Sequence, residues 1–193
     1  MRIISGEHKG RRLAGGKKTK IRPTSDRVKE SIFNVLREVV AGRRILDLFA
    51  GAGSMGMEAL SRGADSVTFV DASFQSINIL KKNLKNLNLE NKSKVLRADG
   101  LKALRKLEQS FHIIFADPPY LKGFAQKVID STTQSDVLES NGILVLEHHK
   151  KETFSAPEEK LSLLKQKKFG DTVISFLVRK TWKNQLEKYG RFH

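Results

Sequence analysis

A chain of 193 residues with 39% hydrophobic and 30% charged residues is long enough for one domain with a full core, and its balance is that of a soluble globular protein. The absence of cysteine excludes disulfides, thiolate zinc sites, cysteine-ligated iron–sulfur clusters and a cysteine nucleophile. The net charge of +15 gathers at the ends: residues 1–29 hold ten Lys or Arg against two acids, residues 165–193 hold eight against two, and the rest is nearly neutral with 18 bases and 17 acids. Such a distribution fits a neutral body with basic surfaces for a polyanion, whereas solubility alone would scatter the bases. No apolar stretch is long enough for a bilayer and no signal-peptide pattern opens the chain, so a cytoplasmic protein without a membrane partner is expected.

In chain order, Arg2 to Ser5 and Arg11 to Leu13 flank Gly6 and Gly10, which predicts a short hairpin carrying Lys9, Arg11 and Arg12. Gly15 to Lys18 continues it as a basic loop, and the segment has little to bury unless it orders against the body or a phosphate backbone. Ser25 or Thr24 caps a helix whose apolar face is Val28, Ile32, Leu36 and Val39. Arg22, Arg27 and Lys29 cluster near its start, either toward a ligand or as solvated charges.

Arg44 to Phe49 reads as a buried strand, and Ala50 to Gly56 as a turn into a helix that ends near Gly63. Gly51, Gly53 and Gly56 match the spacing G-x-G-x-x-G, which several cofactor classes share. Val67 to Val70 forms a second strand ending at Asp71, about 20 residues after the glycine turn, where a carboxylate can accept ribose hydroxyls. Ser73 caps a helix with Ile77, Leu80, Leu84 and Leu87; Val95 to Ala98 is a third strand ending at Asp99, and Leu101, Leu104 and Leu107 mark the next helix. Phe111 to Ala116 is a fourth strand, a helix follows through Phe124, Val128 and Ile129, and Gly142 to Glu147 is a fifth strand. Leu161 to Phe169 and Thr172 to Lys180 flank Gly170-Asp171 as an antiparallel pair. The expected fold is a doubly wound, mostly parallel seven-stranded α/β sheet with an antiparallel C-terminal edge and a small N-terminal hairpin, as one domain over residues 1–193.

Asp117-Pro118-Pro119-Tyr120 closes the fourth strand, because proline cannot donate to a ladder. The stiff turn lets the Asp117 carboxylate and the Pro118 carbonyl converge on one amino group while Tyr120 offers a ring face, a set that fits a flipped nucleobase with an exocyclic amine. Four strands in succession thus end in Asp47, Asp71, Asp99 and Asp117, and their common position would line one crevice at the carboxyl edge of the sheet. His148-His149 is a weak metal signal, since neighbouring residues of a strand point to opposite faces.

Asp47-Leu48-Phe49-Ala50-Gly51-Ala52-Gly53 resembles the D-x-F-x-G-x-G motif of class I S-adenosylmethionine-dependent methyltransferases, and D-P-P-Y resembles their amino-methylation motif. Residues 22–30, R-P-T-S-D-R-V-K-E, with Gly10-Arg11-Arg12-Leu13 and Gly170-Asp171-Thr172, resemble the bacterial 16S ribosomal RNA guanine-N2 methyltransferase family over nearly the whole chain. Ser5, where a glycine is usual, and Ser54-Met55 are small departures. The resemblance implies a Rossmann-like fold with S-adenosyl-L-methionine as cofactor. Gly51 and Gly53 would approach its methionine part, Asp47 would orient the ammonium, Asp71 would hold the ribose and Asp99 the adenine amine. Asp117 and Pro118 would bind the substrate amine and Tyr120 would stack on the base. Lys9, Arg11, Arg12, Lys17, Lys18, Arg22 and Arg27, largely within the extension at residues 1–23, would contact phosphates of 16S rRNA in a small-subunit assembly particle, without a metal. A DNA adenine-N6 methylase is the nearest alternative, a non-catalytic RNA-binding protein the second, and a nicotinamide dehydrogenase would leave D-P-P-Y unexplained.

Overall fold

The computed structural model describes residues 1–15, 25–157, 159–180 and 182, which fall into two compact units, Met1–Gly100 and Leu101–His193. In the first unit, α1 (Asp26–Leu36) starts where Ser25 caps it, its side chain accepting the Val28 amide. Arg37 takes φ 42° and the chain tightens into a 3₁₀ turn, Arg37–Val40, so the helix stops before Val39 and Val40. Then come β1 (Arg44–Leu48), α2 (Ser54–Ser61), β2 (Ser66–Asp71), α3 (Phe74–Leu87), a 3₁₀ turn at Glu90–Lys92 and β3 (Ser93–Arg97). Ser73 caps α3 by accepting the Ser76 amide, and Asn88 closes it in the left-handed region. Strands β1, β2 and β3 pair in parallel, and Ile45, Leu46, Phe69, Val70, Met57 and Leu80 are fully buried between sheet and helices. The predicted first strand ran to Phe49; it ends one residue earlier because Phe49 has φ 62°, which leaves extended geometry.

The second unit opens within α4 (Gly100–Lys106) and continues with β4 (Phe111–Ala116), α5 (Phe124–Thr133), β5 (Leu138–His149), β6 (Leu161–Phe169) and β7 (Thr172–Arg179). Strand β4 pairs in parallel with β5, while β5–β7 and β6–β7 are antiparallel. Strand β5 begins at Leu138 rather than Gly142, since Leu138 already pairs with Phe111 and a register shift carries the ladder on to Ile143. Among the described residues, seven strands form one mixed sheet in the order β3-β2-β1-β4-β5-β7-β6. Strand β6 is an edge, and Lys165, Lys167 and Lys168 along it discourage pairing with another chain. No helix among the described residues is long and apolar enough to cross a membrane.

The predicted N-terminal hairpin is reduced to one antiparallel bridge, Arg2 to Arg12, with the Ile3 amide donating to the Arg11 carbonyl and the Ile3 carbonyl accepting the Gly10 amide. It is held instead by side chains of the first unit. Glu58 on α2 accepts the amides of Ile4 at 2.7 Å and Ser5 at 3.0 Å, and Ser61 accepts that of His8. Asn83 on α3 brackets Ala14, accepting its amide at 2.7 Å and donating to its carbonyl at 3.0 Å. Ile3 and Leu13 are buried beneath these bonds, so ordering the arm also removes apolar surface from water.

Candidate functional site

In the first unit, the glycine turn follows β1 with Gly51 at φ 55° and Gly53 at φ 82°, both in the left-handed region that a side chain disfavours. Gly53 is the N-cap of α2. A Cβ on Gly56 would lie 2.3 Å from the Phe69 ring, so the third glycine sets how closely α2 approaches β2. Its amide is used as well: Gly56 N–H donates to Asp47 Oδ2 at 2.8 Å. Asp47 is 3% exposed, and burial pushes its carboxyl up to about 7, the Gly56 bond opposing the rise and the charge of Asp71 adding to it.

Asp71, at the end of β2, accepts the Gly51 amide on Oδ2 and the Ser73 amide on Oδ1, both at 2.8 Å. One carboxylate thereby ties the glycine turn to the entry of α3, and each oxygen keeps a further lone pair. Asp99 is exposed, two residues beyond β3 and directly before α4. Asp47, Gly51, Gly53, Asp71 and Asp99 all belong to the first unit.

A buried pair, Lys29 of α1 and Glu58 of α2, has one member that the sequence reading set among the charges at the start of α1. Lys29 is not a surface base beside Arg22 and Arg27; it is fully buried, and its ammonium donates to the Arg2 carbonyl at 2.6 Å and to Ser54 Oγ at 3.2 Å. Glu58 lies 3.5 Å away and also takes the Arg62 Nε–H at 2.8 Å. Burial lowers the Lys29 ammonium, and Glu58 draws it back up. The position of Lys29 on the apolar side of α1, one residue after Val28, was the available signal. Of the predicted phosphate contacts, Lys9, Arg11, Arg12 and Arg27 are exposed, Arg11 giving one N–H to the Asn86 carbonyl at 2.7 Å. Lys17, Lys18 and Arg22 lie outside the described residues.

In the second unit, β4 ends at Ala116 and Asp117-Pro118-Pro119-Tyr120 follows without regular structure, Asp117 half-buried, Pro118 buried and Tyr120 half-buried. The Tyr120 hydroxyl donates to Glu147 Oε1 at 2.5 Å and lies 3.1 Å from Thr172 Oγ1. Burial raises the phenol above its ordinary range, and the hydrogen bond to Glu147 and the charge of Asp117 add to the rise, so it stays a protonated donor. The His149 ring meets Tyr120 edge-on, with centroids 5.9 Å apart. His148 turns the other way, its Nε2 2.8 Å from Ser175 Oγ and its ring against Phe154. Among the described residues no group of three or more His, Asp or Glu side chains is arranged to hold a metal. Glu147 and Thr172 had been placed on their strands by sequence, with no signal for their contact with Tyr120.

A strand–glycine-turn–helix with acids at successive strand ends, in a mixed sheet whose C-terminal edge is antiparallel, defines a methyltransferase of the Rossmann-like kind. A solved Escherichia coli structure, provisionally named a methyltransferase, superposes with a TM-score of 0.84 at 29% identity, covering 93% of this chain and 98% of that one. A Haemophilus influenzae structure, provisionally named a methylase, gives a TM-score of 0.77 at 35% identity over 91% and 96%. The family model described as "Conserved hypothetical protein 95" matches residues 1–178, and the chain belongs to that family. Among its curated relatives, a Bacillus subtilis protein provisionally named rRNA methyltransferase YlbH is 40% identical, covering 91% of this chain and 97% of that one. Ribosomal RNA small subunit methyltransferase D of Haemophilus influenzae is 36% identical over 91% of each chain.

Proposed function

We propose that this protein methylates the exocyclic N2 amine of a guanine in 16S rRNA, using S-adenosyl-L-methionine, in the cytoplasm and on a small-subunit assembly particle. The observation that carries the reading is the D-P-P-Y segment at the end of β4, with its tyrosine ring held by the hydroxyl beside a half-buried Asp117. The names of the relatives support ribosomal RNA as the substrate class.

The first unit has the chemistry that the cofactor needs. Positive φ at Gly51 and Gly53 leaves backbone without side chains where the methionine part would come close. Asp47, poised to about 7 by burial, would become the anion beside an ammonium, and Asp71 has lone pairs left for two ribose hydroxyls. Asp99, exposed at the third strand end, would accept from the adenine amine. The same fold holds S-adenosylhomocysteine in a solved structure with a TM-score of 0.64 and 16% identity over 78% of this chain, a likeness of fold alone.

The bound donor supplies a methyl group already activated on sulfonium sulfur. What remains for the protein is placement, worth many orders of magnitude when the reacting atoms are held near attack distance. Guanine N2 is a poor nucleophile because its lone pair is spread into the ring. Accepting its hydrogens at the Asp117 carboxylate and the Pro118 carbonyl favours a more tetrahedral nitrogen, and the carboxylate stabilises the positive charge that develops there. The surplus proton then leaves to Asp117 or to water. Lys9, Arg11, Arg12 and Arg27, with Lys17, Lys18 and Arg22, would bind phosphates and make affinity fall steeply with salt.

The test is transfer of tritiated methyl from S-adenosylmethionine to three acceptors: small-subunit particles, naked 16S rRNA and duplex DNA. Digestion and mass spectrometry should show N2-methylguanosine from the ribosomal acceptors; N6-methyladenine in DNA would instead establish the adenine-methylase alternative. Absence of any cofactor binding would leave the non-catalytic RNA-binding reading.

A further inference from the structure

We propose that Glu147 and Thr172 are positioning residues that lock the Tyr120 hydroxyl, so that the ring meets the substrate base in one orientation. The inference rests on the reading above that Tyr120 stacks on the base. All four participants stand in the second unit. Glu147 and His149 are two residues apart on β5 and so share a face, and Thr172 of β7 pairs directly with His149 across the ladder. The Tyr120 hydroxyl is received on that face.

The protons of this cluster can be assigned. A phenol has one proton, and Tyr120 gives it to Glu147 at 2.5 Å, so across 3.1 Å it is the Thr172 hydroxyl that donates to the phenol oxygen. Both the donor and an acceptor site of the Tyr120 hydroxyl are then used within the protein, which fixes the direction of its C–O bond. His149 limits rotation from the side: its Nδ1 accepts the Lys151 amide at 3.1 Å, fixing the imidazole whose ring stands against Tyr120.

Burying a carboxylate is costly, and an apolar pair would fill this space without that cost. Glu147 is 9% exposed, so the buried acceptor is kept for the direction it imposes on the Tyr120 hydroxyl. Thr172 in turn is fixed by the β6–β7 turn. The Asp171 carbonyl accepts the Lys150 amide at 2.8 Å, and its carboxylate pairs with Lys150 Nζ at 2.9 Å. The C-terminal hairpin therefore takes part in the candidate substrate corner through one hydroxyl.

The experiment measures kcat and KM on small-subunit particles for Glu147→Ala, Glu147→Gln, Thr172→Val, Thr172→Ser and Tyr120→Phe, with cofactor affinity by calorimetry and thermal unfolding as controls. Glu147→Ala should lower kcat about ten- to hundredfold, the range for losing a hydrogen bond to a charged group. Cofactor affinity should stay unchanged, while Glu147→Gln, which keeps an acceptor oxygen, and Thr172→Ser, which keeps the donor, restore most of the rate. In the Tyr120→Phe background Glu147→Ala should add nothing, because the bond is already gone. Tyrosine absorbance gives a second readout, since the chain has two tyrosines and Tyr120→Phe identifies the step that belongs to Tyr120. That step should move down toward the ordinary phenol range in Glu147→Gln.

Equal slowing by Glu147→Ala in the wild-type and Tyr120→Phe backgrounds would overturn the proposal, since it would make Glu147 merely structural. Full activity of Tyr120→Phe would overturn it as well. If Glu147→Ala does not fold, the Thr172→Val and Thr172→Ser pair decides, and equal rates for the two count against the lock. Tyr120→Leu separates the two levels: full activity removes the stacking reading itself, whereas inactivity beside a fully active Tyr120→Phe removes only the lock.

Discussion

Asp47 and Asp71 of the first unit are held by backbone amides near them in the chain, Asp47 by Gly56 nine residues on, Asp71 by Ser73 two residues on and by Gly51 twenty residues back. In the second unit Tyr120 is held by side chains 27 and 52 residues away, from two other strands. The first corner is a property of one strand–turn–helix and the next strand, and its partners persist whatever the neighbouring side chains are. The second exists only after β5 and β7 have paired, and one substitution on either strand dismantles it. A cofactor that is always the same molecule suits the first arrangement, and a substrate that must be told apart from similar bases suits the second.

The sharpest way to break this division is Asp117→Ala. Turnover should fall at least about hundredfold, in the range for losing an electrostatic group at the reacting atom, with cofactor affinity within about twofold of the parent. A parallel loss of cofactor affinity, measured by calorimetry, would show that the two corners do not divide the work. Next in size is Asp71→Ala, which leaves the Gly51 and Ser73 amides without their acceptor. It should weaken cofactor binding about ten- to hundredfold, with kcat at saturating cofactor nearly unchanged.

Gly56→Ala sharpens the local side of the comparison, since its Cβ would stand 2.3 Å from the Phe69 ring. The forced shift should cost about 1–3 kcal/mol of stability in urea unfolding, and a smaller cost would mean that the helix–strand approach is looser than the geometry requires.

The smallest effect is a pH dependence. Asp47 is raised from 3.8 to about 7 in the folded state, so between those values the native protein holds a proton that the unfolded chain has released. Its contribution to stability is therefore full at low pH and is lost as pH rises through about 7. A cationic ligand favours the ionised form, so cofactor affinity should rise about tenfold from pH 6 to pH 8, with proton uptake by buffer visible in calorimetry. Asp47→Asn should flatten that profile; an unchanged slope would assign it to another group.

The strand-end acids, the glycine turn and the D-P-P-Y segment were legible because each is a local pattern: an apolar run that stops, a residue type that permits positive φ, a proline that ends pairing. The β4 bounds, Phe111–Ala116, agree with the sequence expectation for the same reason. Boundaries moved where the backbone takes a conformation that composition does not announce, as at Phe49 and Arg37, both with positive φ and neither a glycine. The arm at residues 1–15 was legible as a basic segment in need of a support, but not that Glu58, Ser61 and Asn83 would supply it.

Lys29 shows the dividing line most clearly. Read by type, it joined the basic surface; read by place, it is a fully buried cation whose partners are Arg2 of the N-terminal arm and Ser54 and Glu58 of α2, all at least 25 residues away in the chain. By itself the amino-acid sequence determined the order of strands and helices, the acids at the strand ends and the basic ends of the chain, because periodicity, turn chemistry and charge are written residue by residue. Only the tertiary structure decided which carboxylate shields an amide, which one takes the Tyr120 proton and which lysine goes inside, because hydrogen-bond partners and burial depend on distances between residues that the chain itself keeps far apart.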